Sequence, residues 1–485
     1  MAQQPMAQPT PKSDVGLKKN ALGLGGAVVM SAALMGPAVS VYFNPQVAAA
    51  HVGFATPFAF VLAAFVMVVV ANGVMEMSRV LPSAGSFYTY VSRGVGPRAG
   101  FVTGVLMFIA YALLVPAELA LIGSYAHDVL AGYGVHIHWA VISAVALVAM
   151  AFLSLRGITS SIRTALVLFT GEVVVILVLS TVILVKGGSD GLSVGPLNPA
   201  ESSGGLSGIA LGLVFGILSF VGFEAASTLG EEVRQPHRTI PRGMFLSLVF
   251  VGLIYLYCIY AEMIGFGRGG VGALVKDGAP ITTLAQRYAP WLKLLVGLAG
   301  ISSIFAVIMN SNNGIVRIIY AMGREGMLPT GLSRIHPVHR TPTTAIWAQA
   351  LTAAAFTFGV GFWSGPFNAY IYLGSLLTLA IIPVYMLTQV ACMRFFRNRD
   401  GGRHHTLRHV VLPILGLLLL FIPVYGQLYP VPAAPLNVFP YLIVAAIVVA
   451  AIVATVIGRR RPETLGRAGA VLASGEIDPD RENDN

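Results

Sequence analysis

Three glutamates lie inside segments of the chain that are otherwise strongly apolar. Glu224 directly follows a short interruption at residues 219–222, Glu172 lies in the sequence Phe-Thr-Gly-Glu-Val, and Glu118 lies in Val-Pro-Ala-Glu-Leu. A carboxylate within a bilayer is costly, so such residues usually face the interior of a helix bundle and serve ions, protons or substrates. The pattern therefore indicates transfer of a proton or recognition of a cationic group.

The segment 212–243 carries the strongest of these signals. Its apolar helix is interrupted by the sequence Ser-Phe-Val-Gly at residues 219–222, just before Glu224. An interruption beside an intramembrane acid is typical of a transporter helix that is broken at a binding site near the middle of the bilayer. Glycines also let two helices pack closely, and the sequence leaves that alternative open.

A second interruption is predicted in the first apolar segment, at Gly36 and Pro37. Proline has no amide hydrogen and disfavours helical backbone at the residue before it, so the helix must kink or unwind there. The two broken spans are five spans apart. That spacing is expected of two five-span repeats with inverted topology, which form a binding site between the two breaks.

The composition places the chain in a membrane. Of its 485 residues, 56% are hydrophobic and 10% are charged, and the mean hydropathy is +0.78. Soluble globular proteins carry roughly 25% charged residues. The sequence therefore predicts an all-α polytopic membrane protein with twelve transmembrane helices, since about 20 apolar residues cross a bilayer. The predicted spans are 21–43, 55–80, 98–128, 138–155, 164–186, 207–230, 241–266, 291–322, 343–363, 367–393, 411–428 and 436–458.

These spans predict a division of the chain into a core and additional elements. The transporter core is 21–393, made of two inverted repeats at about 21–186 and 207–393. Spans 11 and 12 follow at 411–458. Residues 1–20 and 459–485 are predicted to be cytoplasmic tails, the second of which opens with three arginines and then turns acidic.

The distribution of basic residues predicts the orientation. With a cytoplasmic N-terminus and twelve spans, all but five of the 30 Lys and Arg residues fall on the cytoplasmic side. This agrees with the positive-inside rule and predicts a multi-pass protein of the cytoplasmic (inner) membrane with both termini in the cytoplasm. The net charge of +10 follows this pattern and does not indicate a nucleic-acid partner. The five residues predicted outside are Lys186, Arg268, Lys276, Arg287 and Lys293.

Four stretches of sequence resemble a known family when they are taken in order and at the matching spans. Residues 81–97 read LPSAGSFYTYVSRGVGP, residues 219–224 read SFVGFE, and residues 231–242 read EEVRQPHRTIPR. Residues 318–329 read IIYAMGREGMLP and are followed by further prolines. Over most of spans 1–10 the chain resembles the amino acid–polyamine–organocation permease superfamily, which has the leucine-transporter fold.

The resemblance implies a secondary transporter that works by alternating access. The substrate would lie between broken spans 1 and 6, and span 3 would line the distal part of the pocket. Glu224 matches the glutamate of the family motif FxGFE and is the first candidate for proton coupling or gating. The predicted substrate-binding residues are Ala33, Met35, Gly36, Ala38, Val39, Tyr111, Val115, Glu118, Ser219, Phe220, Gly222 and Phe223.

The chain departs from the family at two positions. In the family, backbone amides at the span-1 break hold a substrate carboxylate, but here Pro37 removes one of these donors while Ala38 and Val39 keep theirs. Many family members also carry a lysine in span 5, where this chain has Glu172. A buried carboxylate can carry a proton because burial disfavours its charged form. It can equally bind Na⁺ together with the span-8 residues Ser302 and Ser303.

Taken together, the sequence predicts a proton-coupled symporter or antiporter of an amino acid or an organic amine. An amine-specific transporter or exchanger, or an uncoupled facilitator, is the alternative. The proton is the predicted coupling ion, Na⁺ is the alternative, and neither a metal nor a cofactor is predicted. An amino acid would need the backbone cradle at the breaks, whereas an amine or polyamine would need an acid such as Glu118. In addition to the substrate, the lipid bilayer is a predicted partner. The sequence does not indicate an oligomeric state.

Other classes of protein fit the sequence less well. An uncoupled facilitator would be expected to have a polar pore or rings of carboxylates rather than paired helix breaks. The sequence contains no catalytic triad, paired metal ligands or nucleotide-binding loop, so it does not predict an enzyme. A nutrient sensor would usually need an output domain, and the predicted spans and short tails use up the 485 residues.

Overall fold

The computed structural model describes residues 23–82, 85–157, 162–229, 233–324, 328–336, 341–397 and 405–460. The predicted tail 1–20 and residues 461–485 of the predicted C-terminal tail lie outside these ranges. The α-helices within them are α1 (Leu24–Met35), α2 (Pro37–Tyr42), α3 (Asn44–Val52), α4 (Thr56–Val80), α5 (Ser86–Gly94), α6 (Pro97–Ala131), α7 (Trp139–Leu155), α8 (Ile162–Val185), α9 (Gly205–Leu218), α10 (Pro236–Phe266), α11 (Val271–Lys276), α12 (Pro280–Tyr288), α13 (Lys293–Arg324), α14 (Thr343–Ser364), α15 (Pro366–Arg397), α16 (Leu412–Gly426) and α17 (Phe439–Arg460).

Shorter helical turns connect several of these helices. A π-helical turn, Leu407–Val411, leads into α16. The 3₁₀ helices are Gly195–Leu197, Pro199–Glu201, Phe223–Leu229, Arg268–Gly270, Pro290–Leu292, Thr330–Ser333 and Leu436–Val438.

The described residues form a polytopic helical membrane protein. Eleven stretches of described helix are long enough and apolar enough to cross a membrane. Helix α7 is apolar but has only 17 residues, and it occupies the position of the predicted fourth span, 138–155. The all-α membrane class is therefore confirmed, and the count of twelve spans stays a prediction.

The first span is divided at the predicted position. Helix α1 ends at Met35, and Gly36 adopts a left-handed conformation with φ 56° and ψ 68° before α2 begins at Pro37. Glycine adopts this conformation at no steric cost. Proline suits the first position of a helix because its missing amide hydrogen has no partner there in any case. A further irregularity at Phe43 separates α2 from α3.

The span that begins at α9 is divided in a similar way. Helix α9 ends at Leu218, a turn covers residues 219–222, and the chain continues as the 3₁₀ helix Phe223–Leu229. Gly222 has a φ of 108°, which is unfavourable for any residue with a side chain. The local sequence thus explains both interruptions through one proline and two glycines.

The interior of the bundle lies along α6 and α15. These two long helices pack against each other, and α4, α5, α9, α13, α14 and α17 each contact at least one of them. The last two spans lie at the periphery, since only 28% of the apolar window of Leu407–Gly426 and 17% of that of Leu436–Arg459 is buried. Their exposed Leu, Val and Tyr side chains are suited to contact with lipid.

Candidate functional site

The two interrupted spans meet in the interior. The Ser31 hydroxyl of α1 donates a hydrogen bond to the Phe223 carbonyl oxygen at 2.8 Å, and the Ala226 amide donates one to the Ser31 oxygen at 3.1 Å. Gly222 lies directly against Leu34, because a Cβ atom at position 222 would be 2.9 Å from Leu34 Cγ. The structure therefore brings the turn at 219–222 next to the end of α1.

We expect Gly222→Ala to lower the free energy of unfolding by about 1 to 3 kcal/mol, since it adds strain at a positive φ and a contact with Leu34. Gly25→Ala in α1 is the matched control, because a Cβ atom at Gly25 meets nothing within 4 Å. The midpoints of thermal unfolding in detergent compare the two variants. Equal midpoints would show that the turn is not constrained as described.

A tyrosine from α10 connects the two breaks at the level of their carbonyl groups. The Tyr255 hydroxyl oxygen is 3.1 Å from the carbonyl oxygen of Met35 and 2.7 Å from that of Ser219. The hydroxyl has one proton, so it donates to one of these oxygens at a time. Both carbonyls belong to helix ends that have lost regular backbone partners, and Tyr255 thereby links the ends to each other.

We expect Tyr255→Phe to lower the free energy of unfolding by about 1 to 3 kcal/mol, because the buried Ser219 carbonyl loses its donor. The Met35 carbonyl also accepts from the Ser40 hydroxyl at 3.0 Å and keeps that bond. Tyr257→Phe is the control on the same helix, since the one described hydrogen bond of the Tyr257 hydroxyl is with the exposed Thr181 hydroxyl, at 2.9 Å. Its expected effect is within about 0.5 kcal/mol. Thermal unfolding of both variants measures the difference, and a Tyr255→Phe midpoint equal to that of Tyr257→Phe would contradict the bridging role.

Glu224 is bonded directly to the second break. It is 2% exposed, its Oε1 accepts a hydrogen bond from the Tyr111 hydroxyl at 2.7 Å, and its Oε2 accepts one from the Gly222 amide at 3.1 Å. Tyr385 of α15 is buried beside the same carboxylate, although its hydroxyl has no hydrogen bond of regular geometry among the described residues. The carboxylate therefore caps the turn at the second break.

Glu118 projects from the same face of α6 as Tyr111 and Val115, because these residues are separated by one turn each. It is 4% exposed, and its Oε2 is buried without a hydrogen-bond partner in the described part of the chain. Its electrostatic neighbour is Tyr370 of α15, whose hydroxyl donates to the Asn44 side-chain oxygen. The Asn44 amide in turn donates to the Ser219 hydroxyl at 2.7 Å.

Hydrogen bonds thus join Tyr370 to Ser219 at the second break through Asn44, and Glu118 acts on Tyr370 electrostatically. Asn44 comes from α3, Tyr370 from α15 and Ser219 from the end of α9. Pro116, two residues before Glu118, leaves the Ala112 carbonyl without its helical donor, and the Gln349 side chain donates to that oxygen at 3.3 Å. Helix α14 thus supports α6 at the level where Glu118 is presented.

Glu172 of α8 faces α13. Its side chain is 7% exposed, and its Oε1 accepts a hydrogen bond from the Ser302 hydroxyl at 3.2 Å. The Ser303 hydroxyl lies close to the same carboxylate. The three residues that the sequence grouped as one possible coupling site are therefore neighbours in the structure.

The remaining predicted substrate-binding residues surround the breaks. Gly36 faces α13, since a Cβ atom there would lie 2.6 Å from Val307 Cγ2. Phe220 packs against Tyr255 with ring centroids 5.1 Å apart, and Phe223 packs against Tyr385 at 5.9 Å. Ala33 is half-buried, and the other members of this group are buried, namely Met35, Ala38, Val39 and Val115.

None of the buried acids described above is neutralised by a basic residue of the described chain. The ion pairs there involve only Glu76, with Arg79, Arg408 and His409, and Glu201, with Arg268. Removing a charge from water without a partner is strongly unfavourable. Glu118, Glu172 and Glu224 therefore have no basic partner among the described ion pairs.

Four residues that connect the breaks were not predicted from the sequence. They share the property that their partners are distant along the chain, and they are Ser31, Asn44, Tyr255 and Tyr370. Asn44 offered a signal, since a polar side chain precedes a proline at the end of an apolar run. Tyr255 offered none, because it is one of four tyrosines between residues 255 and 288.

A family profile described as amino acid permease matches residues 22–454. The chain belongs to the amino acid permease family. The permease is therefore a transporter and not an enzyme, and it falls within the amino acid–polyamine–organocation superfamily.

Curated relatives of this permease carry several different substrate names. The branched-chain amino acid permease BcaP of Lactococcus lactis is 24% identical over 82% of this chain and 86% of its own. The low-affinity putrescine importer PlaP of Escherichia coli is 28% identical over 75% of this chain and 78% of its own. The methylthioribose transporter of Bacillus subtilis is 24% identical over 70% and 75%.

Proposed function

We propose that this permease is a secondary active transporter that moves an amino acid or an organic amine across the cytoplasmic membrane by alternating access. The observation that carries the proposal is the hydrogen bonding of Glu224 to Tyr111 and to the Gly222 amide at the point where the two broken spans meet. A change in the protonation of this carboxylate acts directly on the second break. Protons are therefore the proposed driving ions.

The proposed topology has twelve spans, with α7 as the fourth, and places both termini in the cytoplasm. The two breaks, five spans apart, support two inverted five-span repeats followed by α16 and α17 as additional spans. The concentration of Lys and Arg on one side supports the orientation. In this arrangement Glu224 and Glu172 are the candidates for proton exchange, and Na⁺ at Glu172, Ser302 and Ser303 is the alternative coupling.

The proposed substrate carries a cationic nitrogen that pairs with Glu118. The buried Glu118 Oε2 has no partner in the described chain, and a protonated amine supplies the donor and the charge that it lacks. A substrate carboxylate would use the Ala38 and Val39 amides near Gly36. The relatives include a branched-chain amino acid permease and a putrescine importer, so both substrate classes occur among similar proteins.

An amine or polyamine without a carboxylate is the second candidate. Pro37 supports it, because this residue removes a backbone donor from the turn at which a substrate carboxylate would bind. The acid at Glu118 serves an amine equally well in either case. The two proposals therefore differ in whether the substrate must carry a carboxylate.

Counterflow in proteoliposomes tests transport and substrate class without depending on the coupling ion. Vesicles are loaded with unlabelled putrescine, leucine or arginine, and the uptake of a trace of the labelled compound is followed. Transient uptake of leucine or arginine supports an amino acid transporter, and uptake confined to putrescine supports the amine-specific alternative. No counterflow of any labelled amine or amino acid in a wider panel would contradict the proposed function.

A further inference from the structure

Glu262 is a buried acid that has no role in the proposed substrate site or in the proposed proton exchange. It lies one turn before the end of α10, it is 1% exposed, and both of its carboxylate oxygens are buried without a hydrogen-bond partner in the described part of the chain. Glu224 and Glu172 each have at least one hydroxyl donor, so Glu262 is the least satisfied of these acids. An acceptor without a donor in such a place points to a bound species that supplies one.

The position of Glu262 relates it to the substrate site. Tyr255, which connects the two breaks, lies seven residues earlier on the same helix, and seven residues are two turns or about 10 Å. Cys258 lies between them and is 2% exposed. With the proposed orientation, Glu262 therefore lies on the outer side of the breaks, between the substrate site and the external water.

The segment α11–α12 covers this end of α10. The Gln46 side chain of α3 donates hydrogen bonds to the carbonyl oxygens of Val275 and Asp277, at 3.2 and 2.6 Å. From α12, Arg287 and Tyr288 donate to the Gly265 carbonyl oxygen at 3.2 and 2.9 Å. Lys186 of the α8 end also donates to the Tyr288 carbonyl oxygen at 2.7 Å, and the Thr282 and Tyr125 hydroxyls are 3.1 Å apart. These polar contacts and the buried side chains of Leu274 and Leu284 hold the segment, which we call the outer cover, against its neighbours.

Titratable groups of its own helix and of the outer cover lie near Glu262. The charged group that acts on it is the Asp277 carboxylate of the outer cover, and Cys258 is the titratable neighbour on its own helix. Lys276 and Arg287 are the basic residues of the cover, and neither forms an ion pair with Glu262 among the described contacts. The side-chain oxygen of Gln46, on the adjoining helix, is likewise a buried acceptor with no described partner.

We propose that Glu262 is an external proton-binding site that permits the outer cover to close. When the cover is open, Glu262 faces external water and can be ionised. Closure removes the carboxylate from water beside Asp277 and offers it no donor, so the closed state forms only after one proton from the external solution has neutralised Glu262. The charge of the side chain changes from −1 to zero, and no other group needs to react.

The inference rests on the proposed alternating access, because it assigns a role to one of the two gates. It places the binding of an external proton before closure, separately from the proton exchange at Glu224. Low external pH therefore favours the closed cover, and high external pH favours the open one.

The reactivity of the native Cys258 thiol tests this order of events without requiring a known substrate. Intact cells expressing the full chain with Cys392→Ala are treated with a membrane-impermeant maleimide at external pH 5 to 8. Each rate is divided by the rate for the same protein unfolded in detergent at that pH, which removes the intrinsic pH dependence of thiol reactivity. We expect the corrected rate to rise at least tenfold from pH 5 to pH 8, and to stay low throughout in Glu262→Gln.

Two further variants test the proposal even if the Glu262→Gln protein does not insert into the membrane. Glu262→Asp retains an acid and should retain the pH response. Asp277→Asn removes the like charge that disfavours an ionised Glu262 in the closed state, so the cover should stay closed to higher pH and the rise in labelling should shrink. The same rise in Glu262→Gln as in the parent, or an unchanged response in Asp277→Asn, would overturn the assignment. Failure of counterflow would leave this readout intact, so the two proposals fail separately.

Discussion

Replacing Glu224 with glutamine is expected to abolish the accumulation of substrate driven by a proton gradient. A gradient of one pH unit can drive roughly tenfold accumulation when one proton moves with each substrate molecule. Glutamine cannot release a proton, so the expected accumulation ratio falls to about one. Counterflow should persist, because glutamine resembles the neutral form of the acid and exchange needs no net proton movement.

Two controls distinguish the effect of losing the titratable proton of Glu224 from the effect of losing its hydrogen bonds. Tyr111→Phe removes the donor at 2.7 Å but keeps the titratable group, so the accumulation ratio at saturating substrate should remain. Its apparent substrate affinity is expected to fall, because Tyr111 is also a predicted pocket residue. Glu201→Gln makes the same chemical change in an ion pair with Arg268 whose arginine side chain is 61% exposed, where little effect is expected. Full accumulation by Glu224→Gln in the same vesicles would remove Glu224 from the coupling mechanism.

Replacing Glu118 with glutamine is expected to weaken the binding of cationic substrates at least 30-fold. Loss of one partner from a buried charge pair typically costs about 2 to 5 kcal/mol, and 2 kcal/mol corresponds to a roughly 30-fold change in Kd. The change keeps the shape of the side chain and removes its charge. Binding of labelled putrescine and arginine to purified protein measures the effect, with leucine as the substrate that lacks a second cationic group.

The pattern of losses identifies what Glu118 contacts. A loss for putrescine and arginine with leucine unchanged indicates pairing with a distal cationic end. A loss for all three indicates pairing with the amino group that they share. Unchanged binding of all three would remove Glu118 from the site, and Tyr370→Phe then tests whether its network with Asn44 is only structural.

The two helix breaks could be predicted because their causes are local. Pro37 lacks an amide hydrogen wherever it lies in a fold, and Gly36 and Gly222 mark positions where a left-handed turn costs little. The same locality made the class of protein predictable, since long apolar segments require a membrane. Helix α7 shows the limit of this reasoning, because its 17 residues leave the fourth span a prediction.

The contacts that join the breaks could not be predicted, because they depend on packing between distant parts of the chain. Tyr255 is 220 residues from Met35, and Tyr370 is 326 residues from Asn44. No local pattern distinguishes these tyrosines from those that only fill space. The neighbourhood of Glu172, Ser302 and Ser303 was anticipated through family resemblance, and their part in coupling stays a prediction.

Accumulation of labelled substrate in proteoliposomes under defined gradients tests the central claim most directly. The compound that shows counterflow is supplied outside vesicles with an inward proton gradient, with an inward Na⁺ gradient, or with neither. The account predicts accumulation above equilibrium only with the proton gradient. Equilibration without accumulation under every gradient would contradict it and indicate an uncoupled facilitator, and accumulation driven only by Na⁺ would contradict proton coupling.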